Sequence, residues 1–226
     1  KLRGNWGTSF TAPTPVDQLG SLGSTINSFN FVPFVQPGST LLPGSNNTIA
    51  LQGSQANLKA QTADTWSVGV DLEPTKGLRF NVSYYSVEFS DLLGTPTANA
   101  GIFADFPGNV LYDVNGVSTA AATNFLTNGG ANPLSASLAT QFNNTITAIG
   151  GGRIVEVVDF RVGNFGILKV NGIDAGMNIN HETGFGGIDF ALNANIPLTR
   201  KQQASPTAAV ADQLQTENPL LFLKTD

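Results

Sequence analysis

The sequence lacks several residue types from which functional sites are commonly built. It contains no cysteine, which excludes disulfide bridges, thiolate metal sites and cysteine nucleophiles. Its single histidine, His181, cannot form a zinc cluster or a histidine proton relay, and the surrounding residues 180–184 (NHETG) predict a solvated turn. We therefore expect neither a metal site nor a cofactor.

Charge is also scarce. Only 12% of the residues are charged, about half the usual share for a globular protein, and the formal net charge is −5. The 11 lysines and arginines are scattered, whereas a nucleic-acid partner requires clustered positive charge, so no nucleic acid is expected. Low net charge together with 15 Phe, 3 Tyr and 2 Trp also argues against disorder.

Long apolar runs are missing too. No stretch approaches the roughly 18 apolar residues of a transmembrane helix, which excludes a helical membrane protein. Apolar and polar residues instead alternate in short segments, which predicts an all-β fold. The predicted strands lie near residues 1–12, 63–73, 78–90, 153–180 and 186–198. The predicted loops are 13–62, 91–152 and 199–219.

The alternation assigns side chains to two faces of these strands, because successive side chains point to opposite sides. The apolar phase contains Trp6, Phe10, Trp66, Val68, Val70, Leu72, Leu78, Phe80, Val82, Tyr84, Ile188, Phe190 and Leu192. Within the segments that alternate strictly, 2–10, 65–73, 78–84, 173–180 and 188–196, every charge falls on the polar phase, at Arg3, Asp71, Glu73, Arg79, Asp174 and Asp189. Such strands have one apolar and one polar face.

Two segments depart from simple alternation. The strand over 153–180 is less regular, and we expect a bulge or bend at its glycines. The apolar phase also changes at Tyr84-Tyr85, after which Val87 and Phe89 continue on the opposite phase. This change suggests that the strand passes from one environment into another.

The connections help to separate a soluble sandwich from a membrane barrel, since both contain two-faced strands. Their lengths run long, short, long, short, long along the chain. Antiparallel strands would place every long loop at one end of the sheet, as in outer-membrane barrels. Phe10, Trp66 and the pair Tyr84-Tyr85 lie at the long-loop ends of their strands, where aromatic side chains would form a girdle at the membrane interface.

Four blocks of sequence resemble one family. They are residues 57–70 (NLKAQTADTWSVGV), 74–87 (PTKGLRFNVSYYSV), 3–13 (RGNWGTSFTAP), and NFG at 164–166 followed by NGID at 171–174. In their order along the chain, with 3–13 first, the blocks are similar to barrel motifs of TonB-dependent outer-membrane receptors. Ala60-Gln61 departs from the family's usual Pro-Glu.

The resemblance implies that residues 1–226 form part of a 22-stranded transmembrane barrel, contributing five or six antiparallel strands with long extracellular loops. The family's plug domain, its TonB box and its terminal strand with a final aromatic residue have no counterpart here. We therefore expect the chain to be an excerpt of a longer protein, with Leu220–Leu223 beginning a further strand. On such a barrel the apolar phase would face lipid or form the girdle, and the six charged residues would face the lumen.

No catalytic motif accompanies these strands, so we expect no enzyme. The sequence contains no nucleophile elbow, and the glycine runs 150–152 and 184–187 lack the spacing and lysine of a phosphate loop. Asp71 and Glu73 form a same-face carboxylate pair that acid–base chemistry could use, although a hydrated lumen near the periplasmic end is the favoured interpretation.

The resemblance implies transport across the outer membrane of a Gram-negative bacterium. Its partners would be membrane lipid, the rest of the barrel and its plug, the TonB complex, and a siderophore, cobalamin or oligosaccharide ligand. The ligand contacts stay open; candidates in the loops are Phe31, Phe34, Phe103, Phe106 and Tyr112. The alternative is a soluble all-β carbohydrate-binding or adhesin domain, in which the apolar faces of two sheets would meet in one core.

Overall fold

The structure is a computed structural model that describes residues 1–15, 24–56, 58–126 and 136–214. Within these ranges the chain forms ten strands and three α-helices, arranged around two separate sheets. None of the described helices has the length and apolar character needed to cross a membrane. The strand predicted at Leu220–Leu223 lies outside the described residues.

The larger sheet, called the wall below, is antiparallel throughout. Numbered in chain order, its strands are β1 (Leu2–Thr11), β4 (Gln61–Thr75), β5 (Leu78–Gly94), β8 (Gly163–Thr183), β9 (Gly186–Gln203) and β10 (Ala211–Asp212). They lie side by side in the order β1-β4-β5-β8-β9-β10. Among the described residues the sheet does not close, because β1 and β10 are edges.

Short and long connections leave the wall from opposite ends. Tight turns join β4 to β5 and β8 to β9, the latter at Gly184 and Phe185. The long connections depart from the other end, as their lengths predicted. Because the second turn is tighter than expected, His181 lies within β8, exposed and opposite Ile188 in β9, and not in a turn.

The long connections are not simple loops, since the first two fold together into a compact unit. This unit, called the cap, spans 24–56 and 101–162. Its sheet contains β2 (Thr25–Phe29), β3 (Asn46–Gln52), β7 (Arg153–Asp159) and β6 (Val110–Tyr112), in that order. β3 and β7 pair in parallel, so the second sheet is mixed. The cap helices are α1 (Ile102–Asp105), α2 (Thr119–Asn124) and α3 (Ala136–Ile149).

The prediction of one strand over 153–180 was wrong in its first part. Residues 153–159 form β7 in the cap, and the wall strand begins only at Gly163. The physical reason is two-sided burial: Val155, Val157 and Val158 are fully buried. A near-continuous apolar run suits a strand covered on both faces, whereas a wall strand has one polar face.

Apolar side chains pack on both sides of the cap sheet. One cluster contains Ile49, Leu51, Leu126, Phe142 and Val157. A second contains Ile102, Phe106 and Val158, with Phe165 of β8 packed against it. The cap thus has its own core and touches the wall at its long-connection end.

The soluble-sandwich alternative requires the wall's apolar face to be covered by a second sheet. The described residues do not provide such a cover. Trp6 is 71% exposed, Phe10 75% and Val68 53%, although all three lie on paired strands. The apolar faces of the two sheets do not meet in a common core, so the sandwich architecture is wrong for this chain.

Candidate functional site

Strand register brings the predicted apolar residues together on one face of the wall. Trp6 lies opposite Trp66, Val68 opposite Tyr84, and each such cross-strand pair shares a face. The register gives the same face to all thirteen residues of the predicted apolar set and the opposite face to the six predicted charged residues. That these faces meet lipid and lumen respectively stays a prediction.

The apolar residues form a band that runs diagonally across the strands. Its upper border, toward the cap, is Phe10 on β1, Trp66 on β4, Tyr84 on β5 and Ile173 on β8. Phe10 pairs with Thr62, four residues above Trp66 on β4. Trp66 pairs with Ser86, two residues above Tyr84 on β5, and Tyr84 pairs with Ile173. The border therefore descends by six residues from β1 to β8.

The lower border descends in the same direction. It passes from Leu72 on β4 to Leu78 on β5, which lies two residues below the partner of Leu72. It then passes to Ile179 on β8, the partner of Leu78, and on to Ile188 on β9. Ile188 pairs with His181, which lies two residues below Ile179 on β8. The two borders are roughly parallel, so the band keeps its height while crossing the sheet at an angle.

Charged side chains stand above this band on the same face. They are Asp64, Glu88, Lys169 and Lys201, which are aligned across four consecutive strands. Lys169 Nζ lies 2.9 Å from Glu88 Oε1, and both side chains are exposed. This face therefore changes from apolar to ionic within a few residues, which is typical of a boundary between two solvents.

Four of the six predicted charges on the opposite face form two ion pairs within the wall. Arg3 donates to Ser83 Oγ over 2.7 Å and lies 3.5 Å from Asp71, while Arg79 lies 3.4 Å from Glu73. Since each of the two carboxylates has its own arginine, they do not form the isolated acid–base pair that their spacing allowed.

Amide side chains complete the polar face. Asn195 Nδ2 donates to Asp174 over 2.6 Å and to the Tyr85 hydroxyl over 3.2 Å. Asn180 Nδ2 donates to Asp189 over 2.5 Å. The face is thus hydrogen-bonded, and Asp174 and Asp189 are held by amides and not by a counter-charge.

The change of phase at Tyr84-Tyr85 does not coincide with a break in the backbone pairing. Pairing with β4 continues through both tyrosines, and the irregularities of β5 lie far from them, between Leu78 and Phe80 and after Phe89. Val87 and Phe89 lie on the polar face near the cap, where Phe89 pairs with Leu168. Only the surroundings of the side chains change, as the sequence suggested.

The junction of cap and wall is tied by hydrogen bonds and a buried ion pair. Asn164 Nδ2 donates to the carbonyls of Lys59 and Asp91, over 3.0 and 2.7 Å. Arg161 binds Asp159 through two side-chain hydrogen bonds of 2.9 and 2.7 Å, and both side chains are 1% exposed. These contacts fix the direction in which β7 leads into β8.

A second buried acid, Glu156, lies at the centre of the cap sheet. Thr48 Oγ1 donates to its Oε2 over 3.0 Å, whereas Oε1 has no hydrogen-bond partner among the described residues. Burial raises the pKa of Glu156 to about 7, and the bond from Thr48 only partly opposes this rise. Burial also raises the pKa of the Tyr112 phenol, and the neighbouring Glu156 adds to that rise.

All five aromatic residues proposed as ligand contacts pack against another ring, and four of them are buried or half-buried. Phe34 contacts Phe160, Phe103 contacts Tyr112, and Phe106, only 4% exposed, contacts Phe165. Phe31 differs, since it is 55% exposed. The structure thus leaves Phe31 as the accessible ring among these candidates.

Sequence reasoning missed Glu156 and Arg161. Their signal was present as single charged residues inside the apolar run of residues 154–162 (IVEVVDFRV), a pattern that predicts buried, partnered charge. In the part of the chain that the structure describes, no three His, Asp or Glu residues converge as a metal site.

Comparison with known proteins identifies the family. No curated protein matches the chain. Among solved structures, the siderophore receptor PirA from Acinetobacter baumannii is similar, with 12% sequence identity and a TM-score of 0.39. The match covers 89% of this chain and 23% of the PirA chain. The family model described as TonB dependent receptor-like, beta-barrel, matches residues 1–220. The chain therefore belongs to the TonB-dependent receptor β-barrel family, which consists of outer-membrane transporters and not enzymes, as the four sequence blocks predicted.

Proposed function

We propose that this chain is a section of the wall of an active outer-membrane transporter, together with an extracellular cap. The transporter would capture a scarce ligand of the siderophore, cobalamin or oligosaccharide class and import it with energy supplied through TonB. A plug domain would fill the lumen, and the TonB complex would act on a part of the protein outside this chain.

The diagonal apolar band carries this proposal. A descent of six residues corresponds to about 20 Å along the strands, while the three strand spacings from β1 to β8 measure about 14 Å. The upper border is thus inclined by roughly 55° to the perpendicular of the strands, and the lower border, which descends four residues over three strand spacings, by roughly 45°. Strands of outer-membrane barrels tilt by about 35–45° from the membrane normal, which makes a level lipid belt cross them at a similar angle.

The border residues agree with a membrane interface at the upper edge of the band. Phe10, Trp66 and Tyr84 would form part of an aromatic girdle, and the ring centres of Trp66 and Tyr84 are 5.2 Å apart. The charged row above them, beginning with Asp64 and Glu88, would stand in water or among lipid head groups. The cap, at the same end, would then be extracellular.

The polar face would line the lumen and contact the plug. Because Arg3 and Arg79 are already paired with Asp71 and Glu73, the wall would offer the plug mainly amide and hydroxyl groups, together with the carboxylates of Asp174 and Asp189. Contacts of this kind are individually weak, about 0.5–1.5 kcal/mol for a neutral hydrogen bond. A plug held in this way can be displaced without separating many ion pairs.

Accessibility of introduced cysteines tests the orientation, since the chain has no cysteine of its own. The variants Asn115→Cys in the cap, Lys76→Cys in the β4–β5 turn and Val82→Cys in the band would be placed in the full-length protein, otherwise free of cysteine. A membrane-impermeant maleimide should label Asn115→Cys on intact cells. It should label Lys76→Cys only after the outer membrane is permeabilised, and Val82→Cys in neither case.

Equal labelling of the turn and cap cysteines on intact cells would contradict the proposed topology. Labelling of Val82→Cys would contradict lipid contact. Transport itself is tested by comparing the solutes that cells remove from their medium with the protein, without it, and with it in a strain lacking TonB. If no solute is depleted in a manner that requires both the protein and TonB, the transport proposal fails.

A further inference from the structure

The cap contains a cleft of about 380 Å³ between the end of β2 and the C-terminal end of α3. Both long connections contribute to it. Its volume falls within the roughly 300–1,000 Å³ usual for small-molecule sites. Its lining includes Ser28, Asn30, Phe31, Ser45 and Asn47.

An accessible aromatic ring forms one side of the cleft. Phe31 is 55% exposed and rests on Phe29, with the ring centres 5.6 Å apart and the planes at 55°. Ser28, Asn30 and Ser45 are exposed around it. An apolar ring edged by amide and hydroxyl groups matches a ligand that has one apolar face and a polar rim.

The floor of the cleft is held in place. Asn47 is 6% exposed and donates through Nδ2 to the carbonyl of Arg153 over 3.0 Å. A Cβ on Gly152 would come within 2.5 Å of the same Nδ2, so this position requires glycine. The run Gly150-Gly151-Gly152, which the sequence suggested was a flexible loop, therefore closes against the cleft floor.

The lining of the cleft carries no formal charge. The nearby Arg153 guanidinium donates to Asn46 Oδ1 over 2.9 Å, which directs it to a neighbouring amide. An anionic ligand would require arginine or lysine in the lining, because a buried or half-buried negative charge needs a charged or strongly polarised partner.

We propose that this cleft binds an uncharged, hydroxyl-rich solute, with carbohydrate as its chemical class. The C–H face of a sugar ring would lie on Phe31, and its hydroxyls would exchange hydrogen bonds with Asn30, Ser28 and Ser45. The inference rests on the proposed function in taking the cap as the end that captures ligand, and it selects one class from those that transport leaves open.

The test uses the full-length protein in detergent on an array of defined glycans, both uncharged and anionic. It should retain one or more uncharged glycans. Phe31→Ala should weaken that binding by roughly tenfold or more, the loss typical of a central aromatic contact. Asn30→Ala tests the polar rim independently. Leu42→Ala is the matched control, since Leu42 is another exposed apolar residue of the cap, 39% exposed, outside the cleft lining.

Loss of binding in Phe31→Ala and Asn30→Ala, with retention in Leu42→Ala, supports the inference. Retention of no uncharged glycan overturns it, as does binding that both cleft variants leave unchanged. TonB-dependent depletion of a solute that is not a carbohydrate would refute the cleft assignment and leave transport standing. Glycan binding at Phe31 without any TonB-dependent uptake would support the cleft assignment and refute the transport proposal.

Discussion

Replacing Glu156 with glutamine should stabilise the cap at pH 8 much more than at pH 5. The carboxyl group ordinarily titrates near 4.5, and burial raises its pKa in the folded cap to about 7. At a pH between these two pKa values, Glu156 stays protonated in the folded cap and is ionised in the unfolded cap. Stability is therefore lost as pH rises from about 4.5 to about 7, and it changes little above that range.

The size of the effect follows from the two pKa values. Ionisation of Glu156 should cost about 1 kcal/mol of cap stability at pH 5 and about 3 kcal/mol at pH 8. The amide of Glu156→Gln does not titrate, so any cost of burying it is the same at both pH values. The advantage of the variant over the wild type should thus grow by about 2–3 kcal/mol, or roughly 30- to 150-fold in the equilibrium for opening.

Amide hydrogen exchange in peptides from β3 and β7 measures this opening directly in the full-length protein. Rates would be compared at pH 5 and pH 8 after correction for intrinsic exchange. Glu88→Gln is the control, because Glu88 is a half-exposed carboxylate on the wall and not in the cap. The reasoning is refuted if Glu156→Gln changes protection equally at both pH values, or if Glu88→Gln gives the same pH-dependent gain.

Three further substitutions test the packing. Asp159→Asn should destabilise the cap by about 3–5 kcal/mol, because Arg161 stays buried without its counter-charge; exchange protection of β7 measures this loss. Gly69→Val should reduce heat-modifiable, folded protein on gels, since its Cβ would lie 2.7 Å from a carbonyl of the neighbouring strand, whereas Gly7→Val has open space and should fold normally. Val68→Arg should cost about 2–4 kcal/mol in urea refolding into lipid, if the apolar face meets the membrane.

The wall was predictable from sequence because its pattern is local. Period-2 alternation assigns every side chain to a face, and a slip of one residue would exchange the two faces completely. This is why Trp66, Val68 and Asp71 could be placed without knowledge of their partners. The six charged residues shared one phase, which fixed the polar face independently.

The cap was not predictable in this way, because its central contact joins distant segments. Thr48 and Glu156 are 108 residues apart, and no periodicity of the local sequence predicts that their strands pair in parallel. Val155, Val157 and Val158 fit a wall strand as well as a buried cap strand. A wall strand and a cap strand differ in whether both faces of the strand are buried, and this depends on where the helices pack.

The parallel pairing of β3 with β7 also sets an order of assembly. In an unfolded chain, bringing Thr48 to Glu156 closes a loop of 108 residues. Once β4, β5 and β8 have paired, their ends near Gln61 and Gly163 are already neighbours, and the effective loop shrinks to about 20 residues. The entropic cost of closure falls by about 1.5 kcal/mol. The cap should therefore form after the strands beneath it, so that partly inserted barrels would display both connections unfolded and open to proteases.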